Sequence, residues 1–226
     1  MRKTERKSNK RSFSAIPEYL KCKHKDEVCI VMGNGSSLLD YDLTDPFFTQ
    51  NVTIGVNNIG KVFTPTYYVI TDAVAAQRYA PSIKKSSKKS LFLVGNHIPK
   101  KTWSSAYKDT RYKVIYYRLA DTVGSPNYEK IYHCGTVGMV ALNIAWMMGF
   151  KYIFLLGIDG YSVQGPSHFD GRQVFNNLHH DNKVLKFLRT VMASCERDGR
   201  YLFTLSYRSV YREFVPVWWS KEELFS

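Results

Sequence analysis

Acidic side chains are scarce in this chain: 19 Asp and Glu stand against 32 Lys and Arg, a formal net charge of +13 over 226 residues. Cysteine is scarcer still. Cys22, Cys29, Cys134 and Cys195 are widely scattered, and no two have metal-site or redox spacing. His168, His179 and His180 also lack a zinc-ligand spacing. Long apolar runs are missing: nothing approaches the roughly 18 residues that cross a bilayer, so no transmembrane segment is expected. Met1-Arg2-Lys3-Thr4-Glu5-Arg6-Lys7 has no apolar stretch behind it, which argues against a secretory signal. These absences predict a cytoplasmic protein without disulfides. Hydrophobic residues nevertheless make up 44% and charged residues 23%, the balance of an ordinary globular domain.

The positive charge is clustered. Residues 1–25 carry nine Lys and Arg against Glu5 and Glu18, a local balance of +7. Lys84, Lys85, Lys88 and Lys89 form a second group, and a third runs from Lys100-Lys101 to Arg118. Such charge suits nucleic acid, an anionic membrane or a phosphorylated substrate. It equally suits a solubilising tail and solvated loops.

Short apolar runs punctuated by glycine and polar residues read as buried parallel strands. They are Val28–Met32, Val52–Val56, Thr66–Thr71, Ser90–Val94, Lys113–Tyr117, Tyr152–Leu156 and Tyr201–Leu205. Ala73–Tyr79 and Val137–Met148 read as helices, the latter stopped by Gly149. Asp181–Arg197 reads as an amphipathic helix with Val184, Leu185, Leu188, Val191 and Met192 on one face. Strands alternating with helices predict an α/β fold: a Rossmann-like parallel sheet with helices on both faces, in a single domain. The expected boundaries are a basic, disordered tail over 1–19, the Rossmann-like domain over 20–215, and a C-terminal tail over 216–226.

Ligands of such sheets gather at the carboxyl ends of the strands. Four groups of polar residues fall there. Gly33-Asn34-Gly35-Ser36-Ser37 can turn sharply and present amides and hydroxyls to a phosphate. It is neither a Walker loop nor a complete dinucleotide fingerprint. Thr136 and Gly138 open the apolar helix, where free amides suit an anion. Gly157-Ile158-Asp159 and Tyr161, with Asp170 beyond, place a carboxylate and a phenol at the edge of the expected site. His179 and His180 precede Asp181, and an imidazole can take a proton from an attacking hydroxyl. Asn57 and Asp72 close the second and third strands. Each group also has a purely structural reading, as strand exits, caps and turns.

In their order these pieces resemble the bacterial sialyltransferases that use CMP-sialic acid (glycosyltransferase family 42), and the related 6-hydroxymethylpterin diphosphokinase family. The resemblance covers about Val28 to Ser209. Gly33-Asn34-Gly35-Ser36-Ser37-Leu38 is similar to a Gly-x-Gly-Pro-Ser-Leu signature, with Ser36 in the place of proline. Gly157-Ile158-Asp159, Tyr161 and Phe169-Asp170 follow the sialyltransferase pattern without a gap. The chain departs from it at Phe154, where tyrosine is expected, at Val137 (serine) and at Cys134 (arginine).

What the resemblance implies is a glycosyltransferase with a nucleotide-sugar as donor. Asn34, Ser36, Ser37 and Asn57 would hold the nucleotide. The Gly35–Ser37 and Thr136–Gly138 amides and the Tyr161 hydroxyl would receive the departing phosphate, and His180 or His179 would activate the acceptor. No metal is expected to be essential. The diphosphokinase alternative instead needs Mg2+ on Asp72 and Asp159. A further alternative is a non-catalytic basic module that binds nucleotide or nucleic acid. The acceptor is expected to be polyanionic, a glycan, lipopolysaccharide or nucleic acid, held in part by the basic tail.

Overall fold

The computed structural model describes residues 15–99, 113–117, 119–120, 124–132, 134–163, 167–172 and 178–218. Nine strands occur among them: β1 (Val28–Met32), β2 (Val52–Val56), β3 (Tyr67–Ile70), β4 (Leu91–Gly95), β5 (Lys113–Tyr117), β6 (Leu119–Ala120), β7 (Ile131–Tyr132), β8 (Tyr152–Leu156) and β9 (Tyr201–Thr204). Seven of these form one sheet in the order β5-β4-β3-β2-β1-β8-β9, every pairing parallel. The five apolar runs of β1 to β4 and β8 are buried along almost their whole length. That is the sequence signature of strands covered on both faces. The chain builds outward from β1 to β5, then returns to add β8 and β9 on the other side. The switch point of the topology therefore lies between β1 and β8.

Helices cover both faces. One carries α1 (Pro46–Gln50), α2 (Ala73–Arg78) and α3 (Ala80–Ser86), whose Phe47, Phe48, Ala76 and Ile83 pack on Ile30, Tyr68 and Phe154. Asp45 caps α1 by accepting from the Phe47 amide at 2.8 Å, with Pro46 opening the helix. The other face carries α4 (Val137–Met148) and α5 (Leu178–Arg197). In α4 every residue after Val137 is buried, which explains why it is apolar all round. Its one interior polar side chain, Asn143, accepts from the Tyr132 amide at 3.0 Å.

Several boundaries move from their expected places. Ala15 and Ile16 are buried with Leu20 in the core, so the domain extends below residue 20. Pro216 and Trp218 pair with Thr204, and the Trp218 ring packs on Phe203 at 4.8 Å, so residues 216–218 belong to the sheet. The expected helix over 73–79 breaks at Tyr79 and continues as α3. Helix α5 begins at Leu178, three residues before Asp181. The basic residues before Ala15, the stretch from Lys100 to Tyr112, Arg118 and the chain beyond Trp218 lie outside the described residues. Among the described residues, no helix is long and apolar enough to cross a membrane.

Candidate functional site

A cleft opens at the switch point, above the carboxyl ends of β1 and β8. Its lining brings together Gly33, Asn34, Gly35, Asn57, Thr136, Gly138, Gly157, Asp159 and Tyr161, residues drawn from four segments of the chain. Val56, Val137, Ile158, Gly160, Ser167, His168, Val184 and Tyr211 complete it. Of these, the sequence had given a role only to the Val137 amide, within Thr136–Gly138.

The glycine loop holds a different role from the one its composition implies. The Gly33 amide donates to Leu156 O at 2.8 Å and the Gly35 amide to Gly157 O at 2.7 Å. The Ser37 amide and hydroxyl both donate to Asp159, at 2.9 and 2.7 Å, and the Ser37 oxygen accepts from the Gly157 amide. Ser37 is fully buried and Asp159 nearly so. The amides of Gly35 and Ser37 and the Asp159 carboxylate are thus spent on tying the β1 loop to the β8 loop, not on a ligand. Ser36 faces away, into a second cavity.

Donors toward the cleft come from elsewhere. Thr136 caps α4, its hydroxyl accepting from the Met139 amide at 3.3 Å. The Val137 and Gly138 amides ahead of it have no acceptor within the helix and border the cleft. Asn57 holds a left-handed backbone (φ 51°), fixed where its carbonyl accepts from the Tyr68 hydroxyl. Strain of this kind in a non-glycine residue gathers at functional sites. The Asn34 Oδ1 accepts from the Asn58 amide at 3.2 Å, which turns its amide nitrogen to the opposite side.

Asp181, buried in the first turn of α5, organises the far wall. It accepts from the Tyr161 amide (2.9 Å), the Ser162 amide (2.9 Å) and hydroxyl (2.6 Å), and the Tyr211 hydroxyl (2.7 Å). Burial first, then Asp181 and Tyr79, raise the Tyr161 pKa above its ordinary value, so this phenol keeps its proton at neutral pH. The His180 ring stands edge-on to Tyr161, with centroids 5.8 Å apart. It lies 3.3 Å from where a Cβ on Gly135 would be, which places it beside the start of α4. His179 is exposed on the same turn.

The loop 167–172 closes one side. Its Phe169 amide donates to Asn34 O at 2.9 Å. Asp170 accepts from Arg172 Nε at 2.9 Å and from Asn58 Nδ2 at 3.1 Å, while Arg172 Nη1 donates to the Tyr79 hydroxyl at 2.9 Å. Burial opposes ionisation of Asp170, but the Arg172 bonds and charge outweigh it and hold the carboxyl below its usual value. Asp170 is therefore a fastener of this loop.

His168 on the same loop does line the cleft. Burial, then the Arg172 charge, lowers its pKa; Asp170 and Asp159 oppose the shift. The unfolded chain accordingly binds this proton first as pH falls. The stability His168 lends is complete above the ordinary imidazole pKa of about 6.5 and is lost as pH drops through it toward the folded value. Imidazole NMR titration is expected to place the His168 midpoint below 6.5. A midpoint at or above that value contradicts the burial and charge described.

Other candidates are turned elsewhere. Asp72 accepts from the Ala75 amide at 2.6 Å as the cap of α2. Asp159 lines the cleft, but both of its oxygens accept from Ser37, and Asp72 does not line the cleft, so the two carboxylates of the diphosphokinase alternative are not brought together there. Asp40-Tyr41-Asp42 is an Asp-x-Asp spacing that sequence reasoning passed over. Asp40 pairs with Arg208 at 2.8 Å, and Asp42 accepts from the Thr44 amide and hydroxyl. Phe154, the expected tyrosine position, is buried against Phe47 and Phe203.

Charge is polarised along the strands. Lys25, Lys88, Lys89, Lys151 and Arg200 all lie within three residues before a strand of the parallel sheet begins. No Lys or Arg occurs in the three residues that follow β1, β2, β3, β4, β8 or β9. Lys88 and Lys89 of the second lysine cluster therefore sit at the sheet edge opposite the cleft, a placement the sequence had left open.

The fold is similar to solved sialyltransferases. The monofunctional alpha-2,3-sialyltransferase Cst-I from Campylobacter jejuni is 16% identical, with a TM-score of 0.54 over 85% of this chain and 80% of that one. CST-II in complex with a trisaccharide acceptor and CMP is 17% identical, with a TM-score of 0.52 over 84% and 86%. CstII from Campylobacter jejuni in complex with the substrate analogue CMP-3FNeuAc is 14% identical, with a TM-score of 0.51 over 84% and 86%. At such identities the likeness is one of fold. No family model and no curated protein matches the sequence.

Proposed function

We propose that this protein is a glycosyltransferase that binds a nucleotide-linked sugar, with cytidine monophosphate as the carrier, in the switch-point cleft. The observation that carries the reading is the convergence there of the α4 amides, the strained Asn57 and a protonated Tyr161, in a fold shared with enzymes solved in complex with CMP. Asn34 and Asn57 hold the nucleotide. The acceptor hydroxyl oxygen attacks the anomeric carbon, and the bond from that carbon to the phosphate oxygen breaks with its electron pair left on the phosphate. The Val137 and Gly138 amides and the Tyr161 hydroxyl stabilise that negative charge. His180 accepts the proton from the attacking hydroxyl. Holding donor and acceptor in line supplies the rest of the rate.

Two measurements test this. Thermal-shift screening against CMP, CDP, UDP, GDP and ATP is expected to show stabilisation by the cytidine nucleotides; no shift with any nucleotide removes the reading. His180→Ala is expected to lower kcat by roughly 10²–10⁴-fold with little change in nucleotide affinity, as for loss of a general base. His179→Ala, exposed and turned away, is expected to change kcat less than threefold. Equal losses at both positions would remove the base assignment.

A further inference from the structure

A second cavity lies behind one wall of the cleft. The wall is thin. Gly35, Tyr161 and Tyr211 line the cleft, and their chain neighbours Ser36, Ser162, Val210 and Arg212 line the second cavity. The two spaces are therefore back to back across three segments of backbone, with the Asp181 bonds to Tyr161, Ser162 and Tyr211 bracing the partition.

The chemistry of the second cavity is that of an oxyanion receptor. Arg208 and Arg212 both face it. Arg208 gives Nη2 to Asp40 at 2.8 Å and Nε to the Tyr207 hydroxyl at 3.2 Å, leaving Nη1 without a partner among the described residues. Arg212 gives Nη1 to the Tyr207 carbonyl, leaving Nε and Nη2 in the same state. Asp40 thus orients Arg208 without consuming its fork, and Tyr207 sits between the two guanidinium groups as a common brace. Ser36 also lines the cavity. Guanidinium forks match the paired oxygens of carboxylate and phosphate. Glu213 on the rim repels a bare anion, and its carboxylate can accept from sugar hydroxyls.

We propose that this cavity is a binding site for a saccharide bearing a carboxylate or phosphate group, held by Arg208, Arg212 and Ser36. The partition keeps such a ligand apart from the reacting atoms of the cleft, so the site is distinct from the position of the acceptor hydroxyl and stands independently of the transferase reading.

Isothermal titration tests it with glucose 6-phosphate, glucuronate and, as the uncharged control, glucose. The proteins are the full chain, the surface variant Arg208→Gln/Arg212→Gln, and Ser36→Ala, each checked by circular dichroism. One or both acidic sugars are expected to bind the wild type at least tenfold more tightly than glucose, and the stronger of the two names the group. The double arginine variant is expected to lose at least tenfold in that affinity, and Ser36→Ala threefold or more. Equal affinity for glucose, or acidic-sugar affinity unchanged in the double variant, overturns the proposal. A CMP titration on the same preparations separates the two claims. Acidic-sugar binding that depends on the arginines, without CMP binding, supports the cavity and removes the transferase reading; the reverse pattern overturns the cavity alone.

Discussion

Gly35→Ala is expected to destabilise the protein by about 3–5 kcal/mol, from overpacking and from hydrogen bonds lost with it. The backbone there is ordinary, at φ −61° and ψ 156°, so an alanine meets no conformational barrier. The obstacle is contact. A Cβ on Gly35 would lie 2.3 Å from Asp159 Oδ2 and 2.7 Å from Gly157 O. Relief requires Asp159 to leave the Ser37 amide and hydroxyl, or Gly157 to leave the Gly35 amide. Either movement reopens the join between the β1 and β8 loops and deforms the cleft, so nucleotide binding is expected to fall by tenfold or more. Gly199→Ala is the comparison: its φ of 64° is unfavourable to alanine, but nothing lies within 4 Å, so about 1 kcal/mol is expected. Urea denaturation measures both. A Gly35→Ala variant within about 0.5 kcal/mol of wild type, the range of a neutral surface change, contradicts the close approach.

Asp181→Ala has an expected cost of similar size by a different route. It strands the Tyr161 and Ser162 amides and the Ser162 and Tyr211 hydroxyls, four donors around one buried carboxylate. Each unmet donor costs about 1 kcal/mol or more, giving about 3–5 kcal/mol after water reaches the half-buried ones. A fall in Tm of roughly 10 °C follows for a domain of this size. Because Tyr161 and Gly160 lose their anchor, nucleotide affinity is expected to fall as well, although Asp181 itself does not line the cleft. Differential scanning calorimetry together with a CMP titration reads both effects. Loss of stability without loss of affinity would mean that Asp181 braces only the second cavity.

Strands were legible in this sequence because a parallel sheet covered on both faces leaves runs such as Val28–Met32 and Tyr152–Leu156 almost without polar residues. The polar residues after those runs marked the right edge of the sheet for the same reason: the chain must turn there. Which of them face a ligand was not legible. Ser37 and Asp159 are 122 positions apart and satisfy each other, and nothing in either local motif records the partner. The glycines of the loop read as room for a phosphate, yet they make room for the Gly157 carbonyl. Asp181 read as the first residue of an amphipathic helix. The helix already includes Leu178, and the carboxylate accepts from the Tyr161 and Ser162 amides. His168 entered the sequence reading only as a histidine without zinc-ligand spacing; the burial and the Arg172 charge that distinguish it arise only in three dimensions. The two-residue strands β6 and β7 are too short to carry a periodicity.

The central claim is that a nucleotide occupies the switch-point cleft, and amide chemical-shift mapping with CMP tests it most directly. The predicted result is saturable shifts confined to Asn34, Asn57, Val137, Gly138 and Tyr161, removed by Asn57→Ala. Saturable shifts that instead fall on the groove between α5 and β9, around Arg189, Arg200 and Phe214, or the absence of any saturable shift, would contradict it.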